Sequence, residues 1–261
     1  MAERLPNHMA EATESFAKTN PLEEYKYAYW KGNIQTETIS NTASKVREKI
    51  APFRFKLAAR QIAKELQLSP GNKVLELGSG LGLLGKEIRD EIDGEVNYFG
   101  IELAYQSAKV SGEQGILESQ ANVLDLPFAD NTFDALVTTD VLEHIKDNDR
   151  VTSEMLRVLK PGGKAFVVIA DPSEARFKEI HDHIDRTNYR SDVKYWEDLF
   201  NKKGLKVLSK NSEKYRKRDW RKIFNLPFLV KLKNKPGFAC AFNPVNRPGT
   251  YIIEKPVDSS K

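Results

Sequence analysis

Three glycines, two glutamates and a histidine carry the chemistry that this sequence suggests. Val74-Leu75-Glu76-Leu77 is a short apolar run that leads into Gly78-Ser79-Gly80-Leu81-Gly82, and a helical pattern follows. Glycine lets the backbone turn sharply and lets a ligand lie against the main chain, while the first turn of a helix offers unpaired N–H groups. Gly80, Gly82 and Gly85 also spell the GxGxxG pattern of dinucleotide sites, a weak signal when it stands alone. Glu76, two residues before Gly78, argues against a pyrophosphate: a carboxylate there repels phosphate and favours a sulfonium or an ammonium group. Gly85 lies one turn inside the helix, where it can simply ease packing on the sheet. Glu102 ends the next apolar run, spaced to accept hydrogen bonds from ribose hydroxyls. That spacing supports an adenosine ligand without choosing among nucleotides; otherwise Glu102 is a solvated loop acid. His144 follows a further strand and is the candidate general base, since an imidazole ordinarily titrates near working pH. Its alternative is a structural histidine that orients the loop.

The elements that must position these residues alternate. Strands are expected at Lys73–Leu77, Asn97–Glu102, Glu118–Val123, Phe133–Thr139 and Lys164–Ile169, with helices near 53–68, 82–92, 104–111 and 148–159 between them. Lys160-Pro161-Gly162-Gly163 is expected to end the last of these helices, with the lysine at its negative pole. A helix over 192–203 and strands at 205–209 and 250–254 follow; two late strands without a regular crossover imply that one runs antiparallel. Strand–helix alternation of this length implies a parallel sheet covered on both faces.

Taken in order, the pieces resemble the class I S-adenosylmethionine (SAM)-dependent methyltransferase family, in its small-molecule branch, over about residues 55 to 210. Glu76-Leu77-Gly78-Ser79-Gly80-Leu81-Gly82 resembles the family's first motif, and Glu102 falls at its ribose-binding acid. Ala121-Asn122-Val123-Leu124-Asp125-Leu126-Pro127-Phe128 resembles the adenine-binding segment, and Asp140-Val141-Leu142-Glu143-His144 the segment after the fourth strand. Leu159-Lys160-Pro161-Gly162-Gly163 matches the turn before the fifth. The resemblance implies an α/β, Rossmann-like doubly wound sheet of seven strands with the last antiparallel. It implies SAM as cofactor and a donor site made of Glu76, Gly78, Ser79, Gly80, Gly82, Glu102, Leu103, Asn122, Val123 and Asp140. The family usually has aspartate where Asn122 stands; an amide carbonyl can still accept from an adenine amino group. Phe128 or Leu126 would be the apolar wall. Otherwise Asn122 is a turn residue.

Other features are open at this level. Residues 1–52, with Tyr25, Tyr29 and Trp30, read as an N-terminal helical cap or lid ahead of a domain over 53–261. Between Asn201 and Lys235 about a dozen lysines and arginines face two acids, and a basic insertion spans about 211–248. It is either a solvated surface or a site for an anionic membrane surface; no nucleic-acid module is recognisable. Glu143-His144 with His181 and His183 raises a metal, but an i, i+2 histidine pair on a helix diverges, so no metal is expected. With a single cysteine, Cys240, no intramolecular disulfide forms. No apolar run approaches a membrane span, mean hydropathy is −0.54, and the first residues lack a signal-peptide pattern, so a cytoplasmic location is expected. The expected function is methyl transfer from SAM to a small-molecule acceptor. The alternatives are an NAD-dependent oxidoreductase and a non-catalytic SAM-binding accessory protein.

Overall fold

The structure is a computed structural model, and it describes residues 55–92, 95–169, 193–210 and 249–257. The N-terminal cap, His181, His183, Cys240 and the basic insertion lie outside the described residues.

A helix over 55–66 (α1) buries Ala58, Ala59, Ile62, Ala63 and Leu66, the three- and four-residue spacing of one helical face. It is followed by β1 (Lys73–Leu77), α2 (Leu83–Glu91), β2 (Asn97–Glu102), α3 (Tyr105–Glu113), β3 (Leu117–Gln120) and β4 (Phe133–Thr139). A 3-10 turn at Leu142–His144 leads to α4 (Asn148–Val158), β5 (Leu159–Val168), α5 (Val193–Lys202), β6 (Lys206–Lys210) and β7 (Thr250–Glu254). The seven strands form one sheet in the order β3-β2-β1-β4-β5-β7-β6. Strands β1 to β5 are parallel, and β7 runs antiparallel between β5 and β6. This is the Rossmann-like sheet expected, including its antiparallel last strand.

Period-two alternation divides the strands between two cores. Leu75, Leu77, Ile101, Leu136 and Val167 pack with Val151, Met155 and Val158 of α4 and with Trp196 and Phe200 of α5, and Phe133 joins them across an irregularity in β4. Val74, Tyr98, Ala135, Val137, Phe166 and Val168 pack with α1 and with Leu84 and Ile88 of α2. Both faces are therefore covered, which is why the central strands read as near-continuous apolar runs.

Three expectations need correction, the first being the fifth strand, which starts at Leu159 rather than Lys164 and so takes in the residues expected as its preceding turn. The third strand is Leu117–Gln120 and stops before Ala121, because Asn122 opens a turn: its Oδ1 accepts from Leu124 N–H at 3.0 Å and its carbonyl from Asp125 N–H at 3.0 Å. Lys160 does not cap the negative pole of α4. Its Nζ lies 2.6 Å from Asp134 Oδ1, and Leu159 already begins β5. The cation at that pole is Lys255, just past β7, whose Nζ donates to the carbonyls of Leu156 and Leu159 at 2.9 Å each. Asn131 and Thr132 N–H groups take the carbonyls of Arg157 and Val158. The helix end is thus satisfied by a distant strand and a neighbouring loop rather than by its own next residue.

Candidate active site

Because β3, β2, β1 and β4 are adjacent and parallel, the loops that leave their carboxyl ends share one edge of the sheet. They carry, in turn, Asn122 and Val123, Glu102 and Leu103, Gly78 to Gly82, and Asp140 to His144. Open α/β sheets bind ligands at such an edge, where loops leave a switch point and helix N-termini point outward.

The glycine bend is held by main-chain bonds to the neighbouring strand: Gly78 N–H and Ser79 N–H donate to Ile101 O at 2.7 and 3.2 Å. Gly78 has φ +71°, and a Cβ there would run into the side chain of Val141 from the loop after β4. Only glycine lets those two loops come this close. Gly82 is the N-cap of α2, and a Cβ on it would lie 2.9 Å from Ser111 Cα, so this glycine serves the approach of α2 to α3. Gly85 is pressed against Tyr98 and Ile116, the packing role read for it from sequence.

Glu102 is 6% exposed and bridges two loops. Its Oε2 accepts from Gly80 N–H at 3.1 Å and its Oε1 from Ala104 N–H at 2.8 Å. Burial pushes its pKa up, and those backbone bonds act in the opposite direction. Leu103 N–H also bonds to the carboxylate, whose two oxygens offer about four lone-pair directions, so it can still accept from a ligand hydroxyl. Leu103 follows on the same loop, its carbonyl accepting from Gln120 Nε2 at 3.1 Å.

Glu76 behaves differently from the charge imagined for it in sequence. It is 2% exposed and shares the face of Val74 and Tyr98 rather than that of Leu75 and Leu77. The Tyr98 hydroxyl donates to Oε2 at 3.1 Å. Desolvation, with smaller repulsion from Glu118 and Glu102, pushes its pKa up to about 8. With that pKa the carboxyl is mostly neutral at pH 7, and attraction to a cationic group requires it to ionise. Nor does a neutral Glu76 repel a pyrophosphate.

Asn122 is half-buried with its side-chain carbonyl in the turn already described, and Val123 is 8% exposed within the α4-side core. The segment that follows is clamped by α4, in contacts that no sequence pattern revealed. Leu126 N–H donates to Glu154 Oε2 at 2.8 Å, and Arg157 donates to the carbonyls of Leu126 and Phe128 at 3.0 and 2.6 Å. Arg157 also pairs with Glu154 at 2.8 Å and Asp130 at 3.0 Å. Phe128 meets Phe133 edge-on at 4.8 Å and Phe99 at 6.0 Å, which fixes its ring to the core.

On the fourth strand's side, Asp140 is exposed and has φ +57°, a conformation uncommon for a residue with a Cβ and often found at functional sites. His144 is half-buried at the end of the 3-10 turn, with its backbone N–H donating to Val141 O at 2.9 Å. Glu143 beside it is 2% exposed. Among the described residues no three histidine, cysteine, aspartate or glutamate side chains gather as a metal site would require.

The comparisons with known proteins fall on this same edge. A methyltransferase domain model matches residues 75–167, from β1 to the end of β5. The chain is 31% identical over 150 residues to a sterol methyltransferase-like protein of Botryococcus braunii, covering 53% of this chain and 39% of that one. It is 32% identical over 126 residues to a ubiquinone/menaquinone biosynthesis C-methyltransferase of Geotalea daltonii, covering 45% and 53% respectively. The chain thus spans about half or less of the length of these relatives. Among solved structures, a chain of the complex between the Haloferax volcanii Trm112 methyltransferase activator and its methyltransferase superposes with TM-score 0.62 at 18% identity, covering 82% of this chain and 95% of that one. Its likeness is one of fold. Over residues 75–167 this chain is therefore similar to a methyltransferase domain, with its motifs placed in order along the sheet.

Proposed function

We propose that this chain transfers the methyl group of SAM to a small-molecule acceptor at the carboxyl edge of its sheet. The observation that carries the reading is the convergence of four loops there: the glycine bend, Glu102, Asn122 with Val123, and Asp140. They leave adjacent parallel strands that share one methyltransferase-domain match. The residues present fit the donor. Gly78 lets the bend close against the loop after β4 at positive φ, and Glu102 offers a carboxylate suited to ribose hydroxyls. Asn122 and Val123 would border the adenine, with Leu126 or Phe128 as its apolar wall. Bound there, SAM supplies a methyl group activated by its positively charged sulfur. The protein's own work is then to position, desolvate and, where needed, deprotonate the acceptor.

His144 is assigned that last role. Changing His144 to Ala should lower turnover by about a hundredfold while donor affinity is kept; wild-type turnover would remove it from the chemistry. The relatives' names, a sterol methyltransferase-like protein and a quinone C-methyltransferase, favour an apolar acceptor. The test is a survey with methyl-labelled SAM against metabolite extracts, reading product masses. A labelled product of low molecular mass supports the reading. Label confined to protein or nucleic acid, or absent altogether, contradicts it.

A further inference from the structure

One carboxylate near the glycine bend has no part in the expected donor site and yet holds the bend in place. Glu118 sits on β3, in register with Gly100 of β2 and, through it, with Glu76 of β1. Gly100 has no side chain, and a Cβ there would collide with the Glu118 carboxyl, so the carboxyl reaches across β2 toward the bend. There it meets two hydroxyls. Ser79 Oγ donates to it, 2.8 Å from each carboxyl oxygen, and Ser111 Oγ of α3 lies 2.6 Å from Oε2. Ser79 is 7% and Ser111 0% exposed, so neither bond is a solvent-screened surface contact. Ser111 is also the residue against which Gly82 packs. One carboxylate therefore fixes the start of the bend through Ser79 and its end through Ser111 and Gly82.

We propose that Glu118 is a positioning residue for the donor site, holding the Gly78–Gly82 bend in its ligand-ready shape without touching the ligand. The proposal rests on the donor site assigned above. With Glu102 fastening Gly80 from the β2 side, the bend is tied on both flanks, and its N–H groups are aimed before a donor arrives. Preorganisation of this kind lowers the ordering cost of binding, so its loss appears in affinity. Burial tends to protonate Glu118 and the two hydroxyls oppose it; Glu102 adds repulsion. Those hydroxyls thus keep an acceptor available where desolvation would remove it.

The test is calorimetric titration of the full chain with SAM, in wild type and in Glu118→Ala, Glu118→Gln, Ser79→Ala and the Glu118→Ala/Ser79→Ala pair. Glu118→Ala should weaken SAM binding by about tenfold, a loss on the scale of one hydrogen bond to a charged group. Glu118→Gln, which keeps an acceptor oxygen, should recover part of that loss. The double variant should bind about as Glu118→Ala does, because both substitutions break the same bond. In turnover, KM for the donor should rise while kcat changes little. Wild-type affinity in folded Glu118→Ala, or fully multiplicative losses in the pair, would overturn the proposal. If Glu118→Ala does not fold, Ser79→Ala decides alone: affinity equal to wild type overturns the proposal, and a roughly tenfold loss supports it. A wild-type chain that takes up no SAM sinks the donor site itself, an outcome distinct from variants that bind as well as a wild type that does.

Discussion

Replacing Glu102 with alanine should cost the protein its donor, weakening SAM by at least a hundredfold. The carboxylate is the acid at the carboxyl end of β2, positioned between Gly80 N–H and Ala104 N–H. Two ribose hydroxyls donating to it would make two charge-assisted bonds, each on the order of 1.5 to 3 kcal/mol. Loss of both lies between about a hundredfold and ten-thousandfold in affinity. The same substitution unties the glycine bend and the start of α3, so the effect should not fall below that range. Because the ribose is common to donor and demethylated product, both should weaken by a similar factor. Equilibrium titration of Glu102→Ala with each ligand checks this. Unchanged binding of both would remove Glu102 from the site, and loss of the charged donor alone would assign it to the sulfonium instead.

The second large effect is on stability and its pH dependence. Glu76 has a folded-state pKa of about 8 against an ordinary carboxyl value of 4.5, because burial disfavours its charge. Between those values the unfolded chain has released the proton and the folded protein has kept it, so folding binds a proton. Stability therefore falls as pH rises across that window, by at most about 1.4 kcal/mol per pH unit, and levels off above the folded value. From pH 6 to pH 8 the loss from this group should be about 2 kcal/mol. Glu76→Gln keeps an acceptor for the Tyr98 hydroxyl and has nothing to ionise. Its stability should be flatter with pH than wild type by that amount, and it should be the more stable protein at pH 8. Denaturant unfolding at the two pH values measures it. Parallel profiles for the two proteins would mean that Glu76 is charged in its native burial.

How much of this was legible in the sequence differs from residue to residue, for physical reasons. β1, β2, β4 and β7 begin and end where their apolar runs do, since strands buried on both faces have little else to mark them. β3 was read too long, because an edge strand has a weak pattern and the Asn122 side chain ends it by a local bond. The alternation that puts Glu76 with Val74 was present in the sequence. That this face is dry, and lies under Tyr98, depends on which helix covers it. Lys160 was the natural cap for α4 on local grounds, yet Lys255, nearly a hundred residues away, does the work. Glu118 and the Glu154–Arg157 clamp left no local trace, because their partners are set by strand register and by the docking of α4 on the loop after β3. The residues proposed for the donor site stand at strand ends that the sequence pattern marks, whereas the residues that hold those loops show only in contacts.

The central claim is that the edge where β1 to β4 deliver their loops binds an adenosyl sulfonium donor. Isothermal titration of the full chain with SAM, with its demethylated product and with a nicotinamide dinucleotide tests it most directly. The account predicts saturable heat with the first two and none with the third. Saturable heat with the dinucleotide alone would contradict it.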